Sequence, residues 1–325
     1  MTIAVTGCAG FIGINFLKFT FAEHPDDKVI GIDKLTYAAN LSELEKLKNH
    51  EGFIFHKSDI CNAEEIDRIF AAHRPDIVIN FAAESHVDTS ISSPDLFIKT
   101  NILGTQVLLA ASYKYGVRRF HQVSTDEVYG DLPTDSTDTF KECSPLFPSS
   151  PYSASKASAD LMTLAYRKTH GLSVSISRSS NNYGEYQHTE KFIPKAIKAA
   201  LSDKPIEIYG DGSNVRNWIW VTDNCRAIDL IARHGKDGGI YNVGGETYMT
   251  NLTLAKLILV SLGKSEENIK FVADRKGHDK KYAIDSAKIK NELGWREEIY
   301  FDDGIKETVK AYKSHFNKQK MHWST

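Results

Sequence analysis

Short apolar runs alternate with amphipathic stretches through the first half of the chain. Residues 3–5, 29–32, 53–55, 77–81 and 120–123 are brief runs that begin and end on apolar residues, bounded by polar or turn-forming ones, which predicts buried strands. Between them, residues 63–72 and 98–115 repeat their apolar positions at helical spacing. Strand, helix, strand in alternation predicts an α/β fold, a doubly wound parallel sheet. Residues 132–151 are rich in Pro, Ser, Thr and Asp and read as a loop. After Asn181 the alternation weakens, and Pro194, Pro205, Gly210 and Gly212 punctuate mixed segments. That pattern suits a smaller mixed α/β substrate-binding lobe packed over the strand ends. The expected division is residues 1–180 for the parallel sheet and 181–325 for the smaller lobe, with some later segments returning to the sheet. Residues 313–325 are polar, contain one Trp and lack periodicity, so a frayed end without function is expected there.

The chain has 325 residues, enough for a large core, and 40 basic against 42 acidic residues leave a formal charge of −2. No global field favours nucleic acid or an anionic membrane, so any phosphate must be caught locally. Met1-Thr2 runs straight into the first strand without a basic and apolar leader, and no apolar stretch approaches the roughly 20 residues of a membrane span. A cytoplasmic protein is expected. Cys8, Cys61, Cys143 and Cys225 are widely separated, without Cys-x-x-Cys or clustered His, so neither disulfides nor a metal is expected.

Candidate chemistry begins at Thr6-Gly7-Cys8-Ala9-Gly10-Phe11-Ile12-Gly13, which follows the first strand and opens a helix. Bare backbone in this Gly-x-x-Gly-x-x-Gly lets a pyrophosphate approach the helix N-terminus, and the small Cys8 fits inside the loop. The second strand ends at Asp33, about 20 residues after the last glycine, where a carboxylate accepts from an adenosine ribose and repels a 2′-phosphate. NAD is therefore favoured over NADP, and the fold is of Rossmann type. Asp59-Ile60 and Phe81-Ala82-Ala83 follow the third and fourth strands, at the carboxyl ends where ligands of open α/β sheets bind. Asp59 either faces the cofactor or caps the helix beginning near Asn62.

Thr125-Asp126-Glu127 ends the fifth apolar run, and Tyr152 stands four residues before Lys156, on one face of a helix. An ammonium there can favour the phenolate and hold a nicotinamide ribose, making Tyr152 a usable base. Two adjacent carboxyls in a low-dielectric site repel each other into separated pKa values, one acid and one base. The bland alternatives are an ordinary amphipathic helix and a solvated acidic turn. The complete dinucleotide fingerprint weighs against both.

These residues resemble the extended short-chain dehydrogenases/reductases, and among them the nucleotide-sugar 4,6-dehydratases. The resemblance rests on residues 33–37, 82–88, 124–130, 152–156, 180–184, 209–216 and 277–279 and covers nearly the whole chain. It implies that Tyr152 takes the 4-hydroxyl proton of a sugar positioned by Thr125 while hydride leaves C4 for NAD, that Glu127 removes the C5 proton, and that a protonated Asp126 expels the 6-hydroxyl as water. The hydride then returns to C6. Related epimerases and decarboxylases usually carry a small or hydroxylated residue at the position of Asp126. The implied cofactor contacts add Lys34, Thr36, Ser85, Thr100 and Asn182. The implied substrate site takes Lys191, Arg216, Arg275 and His278 for the diphosphate or nucleotide, Asn181, Asn251 and Tyr209 for phosphate, ribose and base, Ser85 and His86 beside the sugar, and Glu207 near the base. A homodimer through helices within 98–115 and 153–169 is also implied. Thr89, Glu185, Glu207 and Lys276 stand where dTDP-glucose enzymes usually have arginine or proline. They leave a UDP-linked hexose or N-acetylhexosamine open beside dTDP-glucose. A sugar 4-epimerase or decarboxylase and a non-catalytic NAD-binding regulator are the further alternatives.

Overall fold

The computed structural model describes residues 1–322, with side chains described through Asn317. The chain opens β1 (Thr2–Thr6), α1 (Phe11–Glu23), β2 (Lys28–Asp33), α2 (Leu41–Leu47), β3 (Phe53–Lys57), α3 (Ala63–His73) and β4 (Ile77–Asn80). Two short helices, α4 (Val87–Ser92) and α5 (Pro94–Phe97), lead through a π-helical stretch, Ile98–Gly104, into α6 (Thr105–Lys114). Then come β5 (Arg119–Thr125), a 3-10 turn at Asp126–Tyr129, α7 (Pro151–His170) and β6 (Val174–Ser179). The expected helix over 98–115 is thus half π and half α in character.

The second part runs β7 (Asn181–Tyr183), α8 (Phe192–Leu201), β8 (Ile206–Tyr209), β9 (Val215–Trp220), α9 (Val221–His234), β10 (Gly239–Val243), β11 (Thr247–Thr250), α10 (Asn251–Ser261), β12 (Ile269–Val272), α11 (Ala287–Leu293) and α12 (Phe301–His322). A seven-stranded sheet has the order β10-β6-β5-β4-β1-β2-β3. Its neighbours are all parallel, so both faces need helices over them. A three-stranded sheet β11-β9-β7 and the pair β12-β8 build the smaller lobe. β10 crosses back from the second part to pair with β6.

Strand order reverses between β1 and β4, and the carboxyl ends of those strands diverge into a crevice. Gly7 sits there at φ +65°, where a Cβ would lie 2.6 Å from the Ala82 nitrogen, so a side chain fits neither the conformation nor the space. Residues 313–322, expected to fray, continue α12 as helix, while 323–325 lie outside the described residues. Phe301, Ile305 and Val309 are buried against the smaller lobe, and Tyr312 donates to the Gln187 carbonyl at 2.5 Å, which anchors the helix that the tail extends. No helix among the described residues is long and apolar enough to cross a membrane.

Candidate active site

The crevice at the reversal point is lined by Gly7, Gly10, Phe11, Ile12, Gly13, Asp33, Lys34, Thr36, Ile60, Phe81, Ala82, Ala83, Ser85, Thr100, Asn181 and Asn182, with Thr125, Asp126, Glu127, Tyr152, Lys156 and Lys191 along the same cleft. Residues assigned from distant parts of the sequence therefore converge. Asp33 accepts from the Ala9 amide at 3.0 Å and the Leu35 amide at 2.7 Å, tying the glycine loop to the end of β2. Lys34 donates to Glu84 at 3.1 Å and to Thr100 at 3.3 Å.

The cleft fits a dinucleotide on its own geometry. Gly10 caps α1 without a side-chain hydrogen bond, and the first turn of α1 holds no acidic residue, so its amides and dipole remain available to an anion. Asp33 borders the same space. Asp59 stands between Ser58 and Ile60, which border this space; its Oδ1 takes the Cys61 amide at 2.9 Å, and it is Asn62 that caps α3, by accepting from Glu65.

The acidic pair is positioned by the end of β5. Thr125 caps the 3-10 turn by accepting the Glu127 amide at 3.3 Å, which turns both carboxyls into the cleft rather than along the strand. Asp126 is 2% exposed, and its Oδ2 has no hydrogen-bond partner. Burial, and then the charge of Glu127, push its pKa up to about 8. Glu127 is also raised by burial, but the guanidinium of Arg216 and the ammonium of Lys191 oppose the shift. Two carboxyls one residue apart are thus biased in different degrees.

Ser150 and Ser153 form a capping box that starts α7 at Pro151, placing Tyr152 and Lys156 in its first turns. Burial pushes the Tyr152 phenol well above its ordinary value, with Glu127 adding to the rise and the Thr125 hydroxyl lowering it. The Lys156 ammonium, lowered to about 8 by burial, donates to the Val123 carbonyl at 2.6 Å. That bond takes one of the three N–H donors of the ammonium and leaves its charge in the cleft, one helical turn from Tyr152.

From the smaller lobe, Lys191 lines the same cleft, and Arg216 and Arg275 act with it on Glu127. Lys191, the cap residue of α8, donates to the Ser85 carbonyl at 2.7 Å. His86 caps α4 and accepts the Thr89 amide at 3.3 Å. Arg275 contacts Asp88 at 2.6 Å and lies over the Tyr209 ring at 5.2 Å, and His278 meets that ring edge-on at 6.1 Å. Arg216, 7% exposed, stacks on Tyr282 at 4.3 Å. Asn251 opens α10 with its amide on the Asn214 carbonyl. Glu207 is a correction: its side chain points to the surface of β8 and pairs with Lys195 at 3.1 Å. Strand alternation puts it on the opposite side from its buried neighbours Ile206 and Ile208.

Sequence reasoning missed Tyr282, whose hydroxyl lies 3.5 Å from Glu127 Oε2, and gave no role to Asp279, which accepts from Tyr282 at 2.6 Å. Both lie in a segment without helical or strand periodicity. The Gly277-His278-Asp279 motif was the nearest signal.

The model of the GDP-mannose 4,6 dehydratase family matches residues 4–308. The chain is 46% identical to a dTDP-glucose 4,6-dehydratase of Haemophilus influenzae, over 96% of this chain and 98% of that protein. It is equally 46% identical to the low-salt glycan biosynthesis protein Agl12 of Haloferax volcanii, with 96% and 98% covered. Among solved structures it is similar to DesIV, a dTDP-glucose 4,6-dehydratase from Streptomyces venezuelae with NAD and TYD bound, at TM-score 0.94 and 43% identity over 98% of each chain.

Proposed function

From the premise that the chain belongs to the GDP-mannose 4,6-dehydratase family, we propose that it is an NAD-dependent hydro-lyase converting dTDP-glucose to the 4-keto-6-deoxy sugar. The carrying observation is Asp126: a buried carboxyl, unpaired at Oδ2 and raised to about 8, beside a second carboxyl and a Tyr/Lys pair in one cleft. An oxidation or epimerisation at C4 has no use for a carboxyl kept protonated near neutral pH. Expelling a hydroxyl does.

NAD, when bound, supplies the reversible store for the hydride that leaves C4 and returns to C6. Tyr152 takes the 4-hydroxyl proton, with the Thr125 hydroxyl beside its phenol. Its base work draws on positive charge in the cleft, carried by Lys156 one helical turn away. The 4-keto group acidifies C5, Glu127 takes the C5 proton, and Asp126 donates to the departing 6-hydroxyl, so water leaves and a conjugated enone forms; as C6 regains the hydride, Glu127 returns its proton to C5. Arg216, Arg275 and Lys191 supply the charge for the diphosphate, and His278, whose pKa burial lowers from its ordinary value, offers a hydrogen bond.

Support for dTDP-glucose among nucleotide sugars comes from the positions that depart from the usual pattern. Glu207 and Lys276 point to solvent, and Thr89 is occupied with His86. The Glu185 carbonyl accepts from the Asn15 side chain of α1 at 3.1 Å. Among the described residues, none of these four side chains has a hydrogen bond or ion pair to Tyr209 or Arg275. Incubation with dTDP-, UDP-, GDP- and CDP-hexoses, followed by product mass, tests reaction and specificity together. Product lighter by one water from the dTDP sugar supports the reading, and no such product from any of them ends it.

The same reading makes the enzyme a cytoplasmic homodimer. Ile98, Leu103, Tyr113 and Leu161 are large apolar side chains 47–58% exposed on the adjacent helical stretches 98–114 and α7. Sedimentation of the wild type and of Leu161→Glu tests this, the variant being expected to run as a monomer.

A further inference from the structure

Asp279 is a buried carboxylate that no step above uses. Its Oδ1 accepts the Ser149 hydroxyl at 2.5 Å and its Oδ2 the Tyr282 hydroxyl at 2.6 Å, while its main-chain carbonyl accepts from Asn214 at 3.0 Å and Arg216 at 2.9 Å. Ser149 lies just before α7, which carries Tyr152, and Arg216 lies on β9. The residue is therefore held by both parts of the molecule, its carboxylate by Ser149 and Tyr282 and its carbonyl by Asn214 and Arg216. Tyr282, 6% exposed, stands between Asp279 and Glu127, with its hydroxyl oxygen 3.5 Å from Glu127 Oε2.

A phenol has one proton to give. At 2.6 Å against 3.5 Å that proton belongs to Asp279, so the face that Tyr282 turns to Glu127 is a lone pair. A lone pair opposes a carboxylate and welcomes a carboxylic acid. We infer that Asp279 is a positioning residue that keeps Glu127 basic, by fixing the Tyr282 hydroxyl as an acceptor toward Glu127 instead of a donor. The inference deepens the proposed function, since it rests on Glu127 being the C5 base. After Glu127 takes the C5 proton, its O–H donates a hydrogen bond to the Tyr282 oxygen, which Asp279 has already polarised, until the proton returns to C5.

Other groups face Glu127 as well: Arg216 from β9, Lys191 from the start of α8, Arg275 from the segment after β12, Tyr152 from α7, and Asp126 beside it in the chain. A charge change at Asp279 therefore also acts on Glu127 directly through space. The Tyr282 route must be separated from that.

The separating measurement is a pH titration of the Glu127 carboxyl band by infrared difference spectroscopy, each protein being subtracted from its Glu127→Gln counterpart. It needs no turnover, and the dehydratase reading fails by a different measurement, the absence of product from wild type. Asp279→Asn leaves a neutral amide, a weaker acceptor than a carboxylate, so the Tyr282 proton turns to Glu127. The Glu127 midpoint is expected to fall by about one pH unit more with Tyr282 present than in the Tyr282→Phe background. Equal falls in both backgrounds would mean plain through-space charge and overturn the inference. Tyr282→Phe alone, with Asp279 intact, gives a second test should Asp279→Asn fold poorly. It is expected to lower the midpoint or leave it in place, and a rise of about one unit would show Tyr282 donating to Glu127 and overturn the inference as well.

Discussion

Asp126→Asn keeps the outline of the side chain and removes its acid proton, and the structure predicts that this harms catalysis while helping stability. The side chain is 2% exposed, Oδ2 is unpartnered, and Oδ1 is met by the Thr125 hydroxyl at 3.3 Å. Loss of a positioned general acid is expected to slow elimination about 10²- to 10⁴-fold, or roughly 3–5 kcal/mol on the barrier. C4 oxidation precedes the step that needs Asp126, so reduced nicotinamide should accumulate on the protein. Stability runs the other way. The folded pKa of about 8 lies above the ordinary 3.8, so the native chain keeps a proton that the unfolded chain releases. Wild-type stability therefore falls as pH rises from the unfolded value towards the folded one, and levels off beyond it. Near pH 7 the interval is about three units, a penalty of up to roughly 4 kcal/mol. An amide does not ionise and escapes that penalty. The advantage of Asp126→Asn in urea unfolding should thus be smallest near about pH 4 and grow until about pH 8. Stopped-flow absorbance of reduced nicotinamide checks the kinetic half. Turnover at the wild-type rate would refute Asp126 as the acid, and a stability difference that is flat across that pH range would refute its being buried as a neutral acid.

Wild-type turnover should fall on the alkaline side as Asp126 loses its proton, with a midpoint near its pKa of about 8 measured as a kcat/KM profile. Tyr152→Phe should lower the rate of C4 oxidation by about 10²-fold or more in single turnovers without accumulating reduced nicotinamide, and an unchanged rate would remove Tyr152 from the mechanism. Gly13→Ala would set a Cβ 2.3 Å from the Gly7 carbonyl oxygen and 2.8 Å from the Cys8 Cα, both backbone atoms. Loss of NAD binding by calorimetry and destabilisation of about 1–3 kcal/mol are expected. His121 lies fully buried between the Ser175 and Ser177 hydroxyls at 2.9 and 3.0 Å, and burial pushes its pKa down from 6.5 to about 3. The unfolded chain takes up a proton that the folded chain refuses, so this residue costs stability as pH falls through that window, by up to roughly 4–5 kcal/mol. His121→Gln should flatten that part of the acid unfolding curve, and an unaltered curve would contradict the assignment.

The elements and groups legible in the sequence are those whose signal is local. A strand of the parallel sheet is a short apolar run whatever it pairs with, and the glycine loop declares itself because only bare backbone passes the end of β4. Thr125, Asp126 and Glu127 are neighbours in the chain, and Tyr152 and Lys156 share a helix face. Their convergence on one cleft follows once the strand order is granted. The tail was misread because its helix needs no amphipathic signal of its own when Phe301, Ile305, Val309 and Tyr312 anchor the turns before it.

Direction and partnership were decided by tertiary structure. Glu207 turns outward to Lys195, and Asp59 folds onto its own turn. The Lys156 ammonium sits on the Val123 carbonyl, 33 positions away. Tyr282 reaches Glu127 across 155 positions, and only the packing of the smaller lobe over β5 brings them together. The chain by itself determined which chemical groups are present and the local backbone that presents them, since those depend on neighbours a few residues apart. The tertiary structure decided which carboxyl is buried and unpaired, which is charge-supported, and where each proton is held. Those properties depend on distance and exclusion of water, and no residue carries them before the lobes close around it.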